Sequence, residues 1–358
     1  MTATALSEAA TPALAGRAPY SVGPIDWTAD EPAVLELLRA SMPGDSRRWS
    51  NPAVWRWKHV DNPFGRSLVL VARDDAAGRI IGLRAFMAWR YLVGGAPTLA
   101  YRPVDTATDP ACRRMGIFSR LTVQALERAR AQGAGLMFNT PNQMSVGGYL
   151  KMGWTLVTRS RTTIKICSYP RFALKYAGSR LFRYGGAEQS TPGDDESVVR
   201  FLSDEPAARS LIAADAAWKR DRIVTERSIA HLSWRFGSHP VYAYSAVTAG
   251  QGDGVCFVRQ VERGGLRWLL LQDMLLSTPD PKIAAELISR AERTFKPDFM
   301  TAFLPPGSFE HRALRACGFR WAVKGGANFV ANGLTPDLPL DPTRLANWSL
   351  SMCDLEFF

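Results

Sequence analysis

The sequence predicts an α/β (α+β) chain of two tandem copies of one fold, each a mixed, largely antiparallel twisted sheet flanked by helices. Three observations carry this. Over the first half, strand and helix signals run strand, strand, strand, helix, strand, helix, strand, the order of a mixed sheet with helices packed on it. The same order returns in the second half, where Trp57-Lys58-x-x-x-Asn62-Pro63 recurs as Trp234-Arg235-x-x-x-His239-Pro240, each followed by a strand. Between the copies, Gly185 to Glu196 is rich in turn formers and has no apolar face, which marks a linker. The expected division is a disordered tail at 1–18, a first domain at 19–184, a linker at 185–198 and a second domain at 199–358.

Each element has a local reason. From Tyr20 to Ala40 a strand is followed by a helix entered at Asp30-Glu31-Pro32, with Val34, Leu35, Leu37 and Leu38 on its apolar side. The basic aromatic segment Trp55-Arg56-Trp57-Lys58-His59 leads to Asn62-Pro63-Phe64-Gly65. Strands at 67–73 and 80–89 form a hairpin about the turn 74–78, and Gly94-Gly95 makes another turn. Met137, Phe138 and Asn139 finish a strand broken at Pro141-Asn142. A short helix around 145–152 stops at Gly153, a residue suited to a helix C′ position, and 154–166 is a further strand. In the second copy, strands at 241–248, 255–261 and 267–276, a helix at 282–294, a strand at 299–304, a helix ending near Cys317-Gly318 and a strand from Phe319 repeat the order.

The 358 residues suffice for two full cores, and 46% apolar with 22% charged residues is a globular balance. No apolar run reaches the roughly 20 residues of a membrane span, and the Ala-, Thr- and Ser-rich start lacks the pattern of a signal peptide. Five cysteines, at 112, 167, 256, 317 and 353, are scattered without Cys-x-x-Cys or Cys/His spacing, which points to a reducing, cytoplasmic setting and no metal site. The four histidines, 59, 231, 239 and 311, are isolated and read as packing or surface residues. A net charge of +11 and a pI of 9.7 favour anionic partners: a phosphorylated cofactor, a nucleotide sugar, an acyl carrier protein or RNA. No Lys/Arg run marks a nucleic-acid tail, so nucleic acid is not an expected partner. A homodimer is compatible with the sequence.

The organising stretch is Tyr101 to Gln132. Leu99 and Tyr101 lie on one strand parity and Val104, Thr106 and Thr108 on the other, so an extra residue near Pro103 shifts the register as a β-bulge does. After Asp109-Pro110 come Arg113, Arg114 and Gly116, then Ile117, Phe118, Leu121, Ala125, Leu126 and Ala129 at helical spacing up to Gly133. A helix start offers unpaired N–H groups and partial positive charge, and glycine lets a phosphate approach. With Arg120 also nearby, the turn suits a pyrophosphate; taken alone, Arg-x-x-Gly equally describes an ordinary surface helix with solvated arginines.

Together, the bulged strand, Arg113-x-x-Gly116-Ile117-Phe118, the amphipathic helix, the next strand and Asn142-x-x-Ser145-x-x-x-Tyr149-x-x-x-Gly153-Trp154 resemble the GNAT superfamily of N-acetyltransferases, over about Asp26 to Ile166. That family's turn is usually written Gln/Arg-x-x-Gly-x-Gly/Ala; Phe118 stands at its last small position, as in a Gly-Ile-Phe variant. The resemblance implies an acyl-coenzyme A donor, acetyl-CoA or a longer acyl-CoA. It places Val104, Thr106 and Thr108 beside the pantetheine arm. Arg113, Arg114, Met115, Gly116, Ile117 and Phe118 would lie at the pyrophosphate, with Arg114 or Arg120 towards the 3′-phosphate. Asn142 and Ser145 would lie at the pantetheine or thioester, and Tyr149 would be the general acid, with a core tyrosine as the other reading. Asp105 is the nearest acidic side chain on the bulged strand and is either the base or a cap for the turn, and water-relayed deprotonation also serves. Trp55, Trp57, Asn62 and Phe64 are candidates for the acceptor pocket, with core packing as the alternative for the tryptophans.

The second copy differs where chemistry would be. Its third strand runs into Ser277-Thr278-Pro279-Asp280-Pro281, where Asp280 can be N-cap and Pro281 N1, without glycine or an arginine cluster. That copy is expected to bind no cofactor and to wall the acceptor cleft or serve structure alone. The expected activity is acyl-CoA-dependent N-acylation of a small primary amine such as an amino sugar, amino acid or natural product. The alternatives are a tandem transferase using an acyl carrier protein or aminoacyl-tRNA, and a non-catalytic acyl-CoA-binding module.

Overall fold

The computed structural model describes residues 20–41, 50–178, 189–190, 195–303 and 305–355. The expected tail at 1–18, and residues 185–188 and 191–194 of the expected linker, lie outside the described residues. The first copy runs β1 (Tyr20–Pro24), α1 (Glu31–Ser41), α2 (Pro52–His59), β2 (Leu68–Asp74), β3 (Ile80–Val93), β4 (Ala96–Thr108), α3 (Ile117–Ala131), β5 (Leu136–Asn139), α4 (Val146–Lys151) and β6 (Thr155–Ile166). After α5 (Tyr169–Gly178) and β7 (Gln189–Ser190) come α6 (Asp195–Ser203), α7 (Glu205–Trp218), β8 (Ile223–Thr225) and α8 (Ile229–Leu232), which continues as a π-turn to Gly237. The second copy then has β9 (Ser245–Ala249), β10 (Gly254–Arg263), β11 (Leu266–Leu276), α9 (Pro281–Phe295), β12 (Phe299–Phe303), α10 (Phe309–Ala316) and β13 (Arg320–Gly333), followed by the turn α11 (Met352–Leu355). Among the described residues no helix is long and apolar enough to cross a membrane.

The described residues fall into two compact units, drawn from Met1–Pro52, Leu68–Ala85 and Val104–Glu127 in one, and from Ala53–Ser67, Phe86–Pro103 and Arg128–Phe358 in the other. β3 and β4 each pass from one unit into the other. In the first unit β1 pairs antiparallel with β2, Tyr20 opposite Asp74 and Pro24 opposite Leu70. Here α3 lies close on β3, and Gly82 is the reason: a Cβ there would stand 2.4 Å from Ile117 Cγ2 and 3.2 Å from Leu121 Cδ1. Ile117 and Leu121 are themselves buried, so only a residue without a side chain lets the helix seat at that depth.

In the second unit the order is β4-β5-β13-β6-β12-β11-β10, with β9 and β7 pairing β10, and β8 pairing the far half of β3. β13 is antiparallel to both β5 and β6, and β6 is antiparallel to β12. The closing strand of each copy is therefore built into the sheet beside the other copy's strands. The alternating pattern that locates a strand does not say which partner it takes, so this exchange is invisible in the sequence. Two parallel seams remain, β4/β5 and β11/β12, at corresponding places in the copies.

The repeated tryptophan segments meet directly. Trp57 Nε1 donates to the Trp234 carbonyl at 2.9 Å and Trp234 Nε1 donates to the Trp57 carbonyl at 2.8 Å. The two indoles stack at 4.4 Å with 12° between planes. Such reciprocity is what a local two-fold relation between equivalent segments produces, and it satisfies two buried N–H groups at once.

Gly82→Ala should lower the unfolding free energy by about 1–3 kcal/mol, because the β-branched Ile117 methyl cannot rotate away. Urea denaturation reads this, and an unchanged midpoint would mean that α3 does not press on β3.

Candidate functional site

The turn before α3 is built entirely within the first unit. Asp109 Oδ1 accepts from the Ala111 N–H at 2.8 Å, starting a 3-10 turn, and its other oxygen pairs with Arg79. Hydrogen bonding to Arg79, then the Ala111 N–H, holds the Asp109 carboxyl below its ordinary range. The Asp109 N–H donates to the Ile81 carbonyl at 2.9 Å, which fixes the turn to β3. Beyond this anchor the backbone alternates in hand: Arg113 has φ −63°, Arg114 +66° and Gly116 +77°. At the start of α3 the N–H groups of Ile117, Phe118 and Ser119 precede the first intrahelical bond, from the Arg120 N–H to the Gly116 carbonyl at 3.0 Å. These three donors at the start of α3 lie in sequence just after the exposed Arg113 and Arg114. Arg120 is tied to β1, its guanidinium 5.1 Å from the Tyr20 ring and 3.2 Å from the Tyr20 carbonyl, and Tyr20 Oη donates to the Met115 carbonyl at 3.5 Å.

The irregularity expected near Pro103 falls at Asp105, which has φ +41° and is 7% exposed. A non-glycine residue in that region is strained, and it turns the strand locally. Thr106 Oγ1 bridges back over it to the Val104 carbonyl at 3.5 Å, and it accepts from the buried Arg84 of β3. Val104, Thr106 and Thr108 are half-buried, and the Thr108 carbonyl accepts from Ser41 Oγ at 3.3 Å.

In the second unit, β4 and β5 pair in parallel only at Ala100–Leu136 and Tyr101–Met137, then separate. Into the gap reaches Arg102, which donates to Thr140 Oγ1 at 2.8 Å and to the carbonyls of Asp354 at 3.3 Å and Leu355 at 3.4 Å. Burial pulls its guanidinium down to about 10, so it stays cationic at neutral pH. Tyr149 is 6% exposed; its phenol oxygen accepts from Asn139 Nδ2 at 2.7 Å, and its ring meets Trp154 edge-on at 4.9 Å. Gly153, at φ +82°, ends α4 with the C′ geometry expected of it. Asn142 is exposed, and its Oδ1 accepts from the N–H groups of Met144 and Ser145 at 3.0 and 2.9 Å and from Ser145 Oγ at 3.0 Å. Asn142 and Ser145 thus shape the entry to α4 around each other. Sequence reasoning missed Arg102, Asn139 and the segment 349–355; an asparagine at the end of an apolar strand was the visible signal for Asn139.

Of the residues expected to line an acceptor pocket, Trp55, Trp57 and Asn62 are buried in packing roles. Trp57 is engaged with Trp234 as described, and Asn62 bridges the Ala88 carbonyl at 2.8 Å and the Phe64 N–H at 3.0 Å. Phe64 is partly exposed and stacks at 4.9 Å on His231, which meets Trp89 edge-on at 5.6 Å. His231 is 1% exposed, and among the described residues neither ring nitrogen has a hydrogen-bond partner. Trp89 Nε1 donates to Thr225 Oγ1 at 3.0 Å, and Thr225 pairs in turn with the fully buried Asp354.

The corresponding gap of the second copy is filled. β11 and β12 pair from Trp268–Phe299 to Leu271–Ala302, and Gln272 is an extra residue in β11 opposite β10. There Arg227 holds Asp273 through two bonds at 2.7 and 2.8 Å, and Lys219 holds Asp215 at 2.8 Å and Glu310 at 3.3 Å. Burial alone would raise the Asp273 carboxyl, but Arg227 keeps it below its ordinary range. These charges and Ser349 to Met352 leave a cavity of about 20 Å³, room for one water. Asp280 caps α9 through the Lys282 N–H at 2.8 Å, as its sequence implied.

Residues 28–157 match the acetyltransferase (GNAT) domain family. Proteins of curated function include no significant sequence match to the chain. Among solved structures, a GCN5-related N-acetyltransferase from Anabaena variabilis superimposes with a TM-score of 0.58 at 11% identity, over 88% of this chain and 73% of that one. N-myristoyltransferase from Saccharomyces cerevisiae with bound myristoyl-CoA superimposes with a TM-score of 0.52 at 11% identity, over 95% of this chain and 89% of that one. A second structure of that enzyme gives 0.54 at 10% identity. At these identities the likeness is one of fold.

Burial, with Arg227 and Arg235 adding to it, drives the His231 imidazole down to about 3, so it is neutral in the folded chain. Below the ordinary value of 6.5 the unfolded chain takes up a proton that the folded chain refuses, so stability falls with pH through that window. Between pH 7.5 and 5.0 the wild type should lose about 2 kcal/mol more unfolding free energy than His231→Leu, as read by urea denaturation at both values. Equal losses would mean that His231 is charged or solvated in the folded chain.

Proposed function

We propose, for a chain whose residues 28–157 belong to the acetyltransferase (GNAT) domain family, that it transfers an acyl group, in the simplest case acetyl, from acyl-coenzyme A to the primary amine of a small molecule such as an amino sugar, amino acid or natural product. The observation that carries this reading is the start of α3, where the N–H groups of Ile117, Phe118 and Ser119 precede the first intrahelical bond and follow a glycine at φ +77° and two exposed arginines. A diphosphate presents the negative oxygens that a helix start of this kind, with cationic side chains beside it, can bind. The donor supplies an activated thioester, so no covalent enzyme nucleophile is required.

What the chain then does is orient and manage protons. The alternating turn from Arg113 to Gly116 and the start of α3, Ile117 and Phe118, hold the diphosphate, with Arg114 the exposed cation nearest the 3′-phosphate role. The half-buried Val104, Thr106 and Thr108 present strand backbone to the pantetheine arm. Tyr149 is the acid for the departing thiolate, since the Asn139 amide on its oxygen stabilises charge left after the proton is given. Asp105 serves as base or relays through water. Phe64 is the acceptor-side residue of the four expected. We also propose that the chain arose by duplication and that only the first copy binds a donor, a reading supported by the reciprocal Trp57–Trp234 pair and the ion-filled gap of the second copy.

Saturating CoA should raise the melting temperature of the wild type, corresponding to about 2.7 kcal/mol at a hundredfold excess over Kd, whereas Gly116→Glu, which adds bulk and negative charge at φ +77°, should abolish the shift. An unchanged shift would move the phosphate elsewhere. With acetyl-CoA and a panel of primary amines, thiol release by Tyr149→Phe should fall by about 10²–10⁴ in kcat with little change in the KM for acetyl-CoA. Equal turnover would remove the phenol from the reaction.

A further inference from the structure

Gly82 and Arg84 lie on the same face of β3, one pleat apart. Over Gly82 sits Ile117, the first residue of α3. Over Arg84 sits the next residue, Phe118, whose ring centroid is 5.0 Å from the guanidinium carbon. The same guanidinium donates to Thr106 Oγ1, the hydroxyl that reaches back across the strained Asp105 to the Val104 carbonyl. One side chain, 2% exposed, therefore touches both the start of α3 and the kinked strand before the anchor Asp109. Phe118, where the family pattern has a small residue, is 39% exposed and offers its ring to that cation.

We infer that Arg84 is a positioning residue for the acyl donor: it braces the phosphate turn, through Phe118, against the bulged strand, through Thr106, and so sets the span that a ligand touching both must match. The inference rests on the donor site proposed above. A planar guanidinium suits the task because it stacks on a ring and donates in its own plane at the same time, which an ammonium cannot. The brace would not alter a ligand held by the turn alone. It would alter one whose two ends are held by the turn and the strand, because misplacing either half costs the other.

The test compares CoA with its fragment 3′-phospho-ADP, which carries the diphosphate but no pantetheine. By calorimetric titration, Arg84→Met should weaken CoA about tenfold, the loss of one charged interaction of this kind, while 3′-phospho-ADP stays within about twofold of wild type. Thr106→Val, a milder change at a half-buried site, should show the same selective loss, and Arg84→Met/Thr106→Val should be no weaker than Arg84→Met, since both remove one connection. Arg84→Lys should recover part of the CoA affinity through Thr106 but not all of it. If both ligands weaken equally, or neither weakens, in Arg84→Met and Thr106→Val while the wild type binds CoA, the brace is refuted and the donor site stands. If the wild type binds neither ligand, the donor site and the brace fall together.

Discussion

Two residue pairs of parallel ladder join β4 to β5, and the ladder stops there. A sheet that parts in its interior exposes backbone groups that still need partners, and whatever fills the gap must be polar and fitted. In this chain Arg102, Thr140 and the carbonyls of Asp354 and Leu355 meet in it. The opening is prepared by residues that cannot be ordinary strand members, Pro103 without a donor and Asp105 at positive φ.

The second copy shows the same opening put to another use. β11 and β12 also pair in parallel and part, and β11 also carries an extra residue, Gln272. There the gap holds Arg227 with Asp273 and Lys219 with Asp215 and Glu310. Buried ion pairs add little net stability, yet removing one partner leaves an uncompensated charge. The segment from Ser349 to Leu355 lines the second gap and reaches Arg102 in the first, which makes both copies depend on one stretch of chain.

The turn before α3 leaves the helix start without a side-chain cap. α9 has Asp280 and Pro281 at its start and α10 has Ser308, each satisfying its own first N–H groups. α3 has neither; Asp109 caps the preceding 3-10 turn instead, and Gly82 allows the uncapped end to sit hard on β3. The difference between a capped helix start and an uncapped one is here a matter of two or three residues at its first turn.

Local chemistry determined what could be read in advance. Periodicity and turn residues located β2, β3, α3, β5, α4, β10, β11, α9 and α10 close to their observed bounds, because each element buries one face by its own spacing. The Arg113-x-x-Gly116 turn was legible for the same reason: glycine at φ +77° and a missing cap are properties of contiguous residues. The Trp57 and Trp234 repeat was visible as two matching stretches of sequence. Only tertiary structure decided the rest. The exchange of β6 and β13, the Trp57–Trp234 seam, the entry of Asp354 and Leu355 beside Arg102, and the meeting of Arg84 with Phe118 and Thr106 all join residues far apart in the chain. Sequence patterns encode which face a residue shows, but the partner on that face is chosen by packing across the whole sheet.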